Sequence, residues 1–91
     1  MTYDPNAAPD AAQWLALGED ERMRLVCSYY ESVGTPSADL QVHVAVQPVV
    51  ETYLAMGVVA ASRALDRLLA EGLTRHEATN AIGNVLESFS G

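Results

Sequence analysis

The chain has 91 residues, of which 49% are hydrophobic and 19% charged, which is typical of one folded domain and excludes a disordered or low-complexity segment. Twelve acidic residues against five basic ones give a net charge of −7, which disfavours binding to nucleic acid or to an anionic membrane. The single cysteine cannot form an internal disulfide, and neither a secretory signal nor a membrane-spanning run is recognisable. We therefore expect a cytoplasmic protein.

The beginning of the chain predicts an irregular arm followed by a helix. Residues 1–9 contain two prolines, so we expect an irregular N-terminal arm and a single helical domain over residues 10–91. Asp10 with Gln13 three residues later predicts a capped helix start. Trp14 is then expected to anchor this first helix in the core.

The first helical region, residues 10–33, is predicted to be either one long helix or two helices split at Gly18. Three consecutive acidic residues at positions 19–21 favour a helical first turn, because the helix macrodipole attracts negative charge there. Apolar residues then recur at helical steps of three and four, namely at Met23, Val26, Cys27, Tyr30 and Val33.

The segment 38–56 carries two competing patterns. Residues 40–47 alternate between apolar and other side chains, which is typical of a strand. A helical stripe also runs through Val42, Ala45, Val46, Val49, Val50, Tyr53 and Met56. Since no other segment alternates and an isolated strand is unstable, we predict a helix kinked at Pro48.

The second half predicts two further helices, 59–71 and 75–89, after a break at Gly57. Thr74 and Glu77 form the capping-box pattern of a helix start. One face of the last helix is apolar throughout, at Ala78, Ala81, Ile82, Val85, Leu86 and Phe89. The predicted fold class is all-α, a small bundle of four main helices.

Two rows of polar residues point away from the apolar stripes of their own helices. The row on the third helix consists of His43, Gln47 and Glu51. The row on the last helix consists of His76, Asn80, Gly83 and Glu87. We expect both rows to be exposed to solvent, and a functional role requires that they meet each other.

If the two rows met, His43, Glu51, His76 and Glu77 would supply imidazole and carboxylate ligands for a divalent metal such as zinc. The segment 76–80 differs by one residue from the H-E-x-x-H zinc-hydrolase motif, because Asn80 stands in place of the second histidine. The capping box already explains Glu77, so the motif is a weak indication of a metallohydrolase. The sequence predicts no catalytic residue.

The last helix begins with Arg75-His76-Glu77-Ala78 and continues through Ala81-Ile82-Gly83. Together with the stretch from His43 onward and the upstream segment 14–22, this pattern resembles a family of small uncharacterised bacterial helical proteins. Members of that family carry an R-H-E-A-x-H-A-I-G signature and an H-x-x-x-H pair on the preceding long helix. The resemblance implies a shared helical fold and a metal site that is altered or lost here, since Gln47 and Asn80 stand at the second histidines.

We expect a non-enzymatic helical module that acts through a protein partner or a second copy of the chain. Gln47, Asn80 and Gly83 are the expected contact row, because Gly83 permits the close approach of a second helix. The alternative is a divalent-metal-binding protein, a degenerate hydrolase, that uses the four residues named above. A third reading is a small-molecule carrier that uses aromatic side chains. The sequence leaves open whether the chain forms a homodimer.

Overall fold

A computed structural model describes the backbone of residues 1–90 and the side chains of residues 1–86. The all-α class is confirmed, since every regular element of the described residues is an α-helix. The first region is divided at Gly18, as one of the two predicted possibilities had it, so the described residues form five helices. Their bounds are α1 Ala11–Ala16, α2 Glu19–Ser32, α3 Ser37–Ala55, α4 Val59–Ala70 and α5 Arg75–Ser90. The side chains predicted at Glu87 and Phe89 lie outside the described residues.

The helices begin and end where local chemistry favours it. The Asp10 side chain accepts a hydrogen bond of 2.9 Å from the backbone amide of Gln13, which confirms the predicted cap of α1. Gly57 and Gly72 follow α3 and α4 with φ of +73° and +99°, a left-handed conformation that glycine adopts without steric cost. The chain turns at these two glycines, and α5 packs against α3.

The segment with competing patterns is a helix. α3 runs from Ser37 to Ala55 and passes through Pro48, so the strand interpretation is wrong and the helix is confirmed, while the kink at Pro48 stays a prediction. α3 packs against α1, α2, α4 and α5, which makes it the central helix of the fold.

The apolar core lies beside α3 and includes residues from the irregular N-terminal segment. Tyr3, Trp14, Val26 and Tyr30 form its buried cluster, and Trp14 is completely inaccessible to solvent. Residues 1–10 contain no helix, yet Tyr3 is only 3% exposed. The N-terminal segment is therefore packed against the helices.

The predicted valine stripe of α3 is only partly correct. Val50 is fully buried, but Val42 and Val49 are each 41% exposed. The reason is that several elements pack around α3, so the apolar stripe is not the only face that is buried. The face that meets α5 and the N-terminal segment is buried as well. That face carries the polar residues Gln47 and Glu51.

Within the described residues, no single helix is both long and apolar enough to cross a membrane. α3 and α4 meet the criteria of length and composition only as a pair, with a bend of 103° between them.

Candidate functional site

The polar row of α3 faces the interior of the protein. Gln47 is 2% exposed and Glu51 is 1% exposed, so the expectation of a solvent-exposed row is wrong for both residues. A buried polar side chain is costly unless it is hydrogen-bonded, and each of these two residues has partners on α5 and in the N-terminal segment. We call the contact of Gln47 and Glu51 on α3 with Thr79 and Arg75 on α5 the polar seam.

At one end of the polar seam, Glu51 forms a bidentate ion pair with Arg75. The two guanidinium nitrogens lie 2.7 and 2.9 Å from the two carboxylate oxygens. The hydroxyl of Tyr3 donates a third hydrogen bond, of 2.5 Å, to the same carboxylate. Arg75 also donates to the backbone carbonyl of Pro5, which ties the N-terminal segment to the start of α5.

The pKa values of this group follow from its burial and pairing. Burial lowers the pKa of Arg75, but the hydrogen bonds to Glu51 and its negative charge outweigh that effect and raise the pKa of the guanidinium overall. Burial also raises the pKa of Tyr3, and the charge of the Glu51 carboxylate raises it further. Arg75 is therefore charged and Tyr3 is a neutral hydrogen-bond donor at neutral pH.

One helical turn away, Gln47 links three elements. Its Nε2 donates to the hydroxyl of Tyr3 at 3.0 Å and to the hydroxyl of Thr79 at 2.8 Å. The Thr79 hydroxyl in turn donates to the backbone carbonyl of His76. Since Gln47 faces Thr79 and Glu51 faces Arg75, α3 and α5 run antiparallel along the polar seam.

Both histidines contact Tyr30, a buried residue of α2. The His43 ring stacks on the Tyr30 ring with 4.2 Å between centroids and 4° between planes. His76 Nε2 shares a hydrogen bond of 3.0 Å with the Tyr30 hydroxyl. Burial lowers the pKa of His76, and the nearby His43 lowers it further. Both rows therefore meet within one chain, through an aromatic side chain that belongs to neither row.

The four predicted metal ligands are not gathered at one point. The carboxylate of Glu51 is engaged by Arg75 and Tyr3, while Glu77 Oε1 accepts a hydrogen bond of 2.9 Å from the backbone amide of Thr74. Thr74 and Glu77 thus form the predicted capping box, and the Thr74 hydrogen bonds lower the pKa of Glu77. Among the described residues, no group of three or more His, Cys, Asp or Glu is arranged to hold a metal ion.

The metal hypothesis itself stays a prediction. Elemental analysis of the protein purified without a histidine tag tests it directly, together with a thermal shift on adding zinc. Bound metal in stoichiometric amount would favour it over the interaction hypothesis.

The predicted contact row of Gln47, Asn80 and Gly83 lies between α3 and α5 of the same chain. A Cβ atom at Gly83 would lie 2.8 Å from Cγ1 of Val46, so glycine allows the close approach of α3. The helix that approaches Gly83 therefore belongs to this chain, whereas the sequence analysis expected a second molecule. Asn80 is half-buried beside Gln47, at a small pocket of about 170 Å³.

The partners that hold the polar seam together are not predicted from the sequence. Tyr3 was assigned to an irregular arm, and neither Arg75 nor Thr79 was given a role. A usable signal did exist, because Arg75 and Thr79 have the same four-residue spacing as Gln47 and Glu51. Pairing Glu51 with Arg75 and Gln47 with Thr79 is possible only if the two helices run antiparallel. This spacing therefore favours an antiparallel pair of helices.

A second feature is an apolar groove between α4 and α5, with a volume of about 410 Å³. Its lining includes exposed Val58, Val85 and Tyr53, at 37%, 56% and 39% exposure. The rest of the lining consists of Ala60, Ala61, Ala64, Arg67, Leu68, Ala81, Ile82 and Leu86. We call this surface the α4–α5 groove.

No protein-family model, curated protein or solved structure matches this chain. The resemblance drawn from the motif on α5 therefore stays a prediction.

Proposed function

We propose that this chain is a non-enzymatic helical interaction module that associates with a second copy of itself through the α4–α5 groove. The observation that supports this most directly is the groove itself, an apolar depression of about 410 Å³ with exposed valines on its rim. Contiguous exposed apolar surface on a small domain is typical of an interaction site. A domain of this size buries a smaller fraction of its surface on folding than a larger domain does, and association would bury additional apolar area.

The contacts of the polar seam support a structural role, and not a catalytic one, for Gln47 and Glu51. Glu51 is paired with Arg75, Gln47 holds Tyr3 and Thr79, and each contact joins α3 to another part of the chain. Catalytic acids and bases need access to a reacting group. Glu51, at 1% exposure, has a carboxylate already satisfied by its own chain.

The charge distribution favours a second copy as the occupant of the groove. A net charge of −7 makes two copies repel each other over most of their surface. Among the described residues that line the groove, the only charged side chain is Arg67, and none is acidic. The lining of the groove therefore adds no repulsion between acidic side chains of two copies. Its alanines at positions 60, 61 and 64 allow the backbone of a partner helix to come close.

Sedimentation velocity over a concentration series up to the high micromolar range tests this proposal. We expect a reversible monomer–dimer equilibrium for the unmodified chain. Val85→Glu places a charge on the rim of the groove and is expected to shift the equilibrium to monomer. The matched control is Val33→Glu, because Val33 is 59% exposed, close to the 56% of Val85, and lies outside the groove.

Two outcomes would contradict the proposal. One is an unmodified chain that stays strictly monomeric at high micromolar concentration. The other is a dimer that Val33→Glu disrupts as strongly as Val85→Glu does. Circular dichroism of both variants checks that each of them remains folded.

A further inference from the structure

The small pocket at the end of the polar seam combines polar groups with a fixed orientation. It measures about 170 Å³, and it opens between α3 and α5 beside the His43 ring. Its lining is Val42, His43, Val46, Gln47, Asn80, Gly83 and Asn84. None of these residues is acidic, and none is a lysine or an arginine. This pocket is separate from the α4–α5 groove.

The hydrogen bonds of the seam fix which way the Gln47 amide points. The Thr79 hydroxyl donates to a backbone carbonyl and the Tyr3 hydroxyl donates to Glu51, so both hydroxyl oxygens are left to accept. Only the Nε2 group of Gln47 can donate to them, and it uses both of its hydrogens for this purpose. The remaining polar atom of the side chain, Oε1, is an acceptor.

Within the described residues, the hydrogen bonds of the Gln47 side chain are those of Nε2, and none reaches Oε1. Every fully buried side-chain nitrogen or oxygen in the described part of the chain has a partner, so Oε1 is not fully buried, and Gln47 is one of the residues that line the pocket. Gln47 is only 2% exposed, so its amide is held in a fixed orientation at the wall of the pocket that it lines.

Two further side chains complete the polar wall. The stacking of His43 on Tyr30 fixes the plane of the imidazole, whose ring nitrogens can donate or accept. Asn80, half-buried on α5, offers an amide that can both donate and accept. Val42 and Val46 supply an apolar wall.

We propose that this pocket binds a small uncharged amide, such as a primary carboxamide or a urea. An amide N–H matches the acceptor at Gln47 Oε1, and a second N–H with the carbonyl matches the side-chain amide of Asn80. A carboxylate of the same shape lacks the N–H and finds no lysine or arginine in the lining. The site therefore selects for amide over acid.

Acetamide and acetate are a suitable pair of probes, because they have nearly the same shape and differ in charge and in the N–H donors. The readout is a two-dimensional ¹H–¹⁵N NMR titration of the full chain, which also detects the Gln47 side-chain amide. We expect acetamide to cause saturable shifts at His43, Gln47, Asn80 and Gly83. We expect acetate to bind at least about tenfold more weakly, as follows from the loss of about 1.4 kcal/mol in hydrogen bonding.

Asn80→Leu removes the second amide and should weaken acetamide binding about tenfold. Gln41→Leu is the matched control, because Gln41 is exposed on α3 and lies outside the pocket; this variant should bind like the unmodified chain. Equal binding of acetate, shifts that do not saturate, or full affinity in the folded Asn80→Leu variant would each overturn the proposal. The comparison of the two probes on the unmodified chain decides the matter even if Asn80→Leu fails to fold.

Discussion

Replacing Arg75 by methionine removes the cation that neutralises the buried Glu51 carboxylate and leaves Tyr3 as its remaining partner. Removing one member of a buried ion pair costs about 3–5 kcal/mol, since the other charge stays buried and unpaired. Arg75 is 12% and Glu51 1% exposed at the side chain, so the pair belongs to this class and not to that of surface pairs. The variant should also lose the hydrogen bond to the Pro5 carbonyl.

This loss is large for a chain of 91 residues. Domains have about 0.05–0.15 kcal/mol of stability per residue, so the total here is about 5–14 kcal/mol. A loss of about 3 kcal/mol lowers the Tm by roughly 12 °C or more. Urea unfolding followed by circular dichroism and by Trp14 fluorescence measures the change in the free energy of unfolding.

Arg63→Met is the matched control, because Arg63 is exposed and its loss changes the net charge by the same amount. Its effect should stay within about 0.5 kcal/mol. Combining Arg75→Met with Glu51→Gln removes both charges, and the double variant should lose about 0.5–3 kcal/mol less than the sum of the single variants. If Arg75→Met cost no more than Arg63→Met, the ion pair would not be buried and the reasoning would be refuted.

Three other predictions follow from the same contacts. Gly83→Ala forces a Cβ against Cγ1 of Val46, a stiff β-branched side chain, and should lower the free energy of unfolding by about 1–3 kcal/mol, as measured by urea unfolding. The double variant Gly83→Ala/Val46→Ala should recover part of this loss. A Gly83→Ala variant that is more stable than the unmodified chain would contradict the close approach of the two helices. His76 has a lowered pKa in the folded state, so its contribution to stability is present above the ordinary pKa of 6.5 and is lost as the pH falls below it. His76→Gln should flatten that part of the profile of unfolding free energy against pH. An unchanged profile would argue against burial of His76. Burial raises the pKa of Tyr30 to about 12. Tyr30→Phe should therefore remove a step near that pH from a titration followed by the ultraviolet absorbance of tyrosine. Ionisation of Tyr30 near pH 10 would show instead that its hydroxyl is exposed.

The sequence alone was sufficient for the helical class and for most helix ends. Local signals fix these features: Asp10 caps α1, Thr74 and Glu77 cap α5, and Gly57 lies between α3 and α4. Such signals act within one helical turn, so they do not depend on which helices later become neighbours.

The orientation of α3 could not be predicted in the same way. Hydrophobic periodicity placed Val42 and Val49 inside and Gln47 and Glu51 outside, and the structure reverses this order. The decisive contribution is an interaction across 24 residues of sequence, between Glu51 and Arg75, which no local pattern contains. A polar face can be buried when another segment supplies complementary hydrogen bonds.

The sequence identifies the two polar rows, but it does not predict what surrounds them in the folded chain. The rows of α3 and α5 do meet, yet the contact depends on Tyr3 from the irregular N-terminal segment and on Tyr30 from α2. Neither tyrosine has a distinctive spacing relative to the rows. Their roles become visible only after α3 is placed at the centre of the fold.

The central claim is that the polar residues of α3 are enclosed between α5 and the N-terminal segment. Nuclear Overhauser contacts from the Gln47 side-chain amide protons test it most directly, because those protons lie on a nitrogen 3.0 Å from the Tyr3 hydroxyl oxygen and 2.8 Å from that of Thr79. We predict strong contacts to both residues and slow exchange of the amide protons with water. Rapid exchange with water and no contact to Tyr3 or Thr79 would contradict the claim.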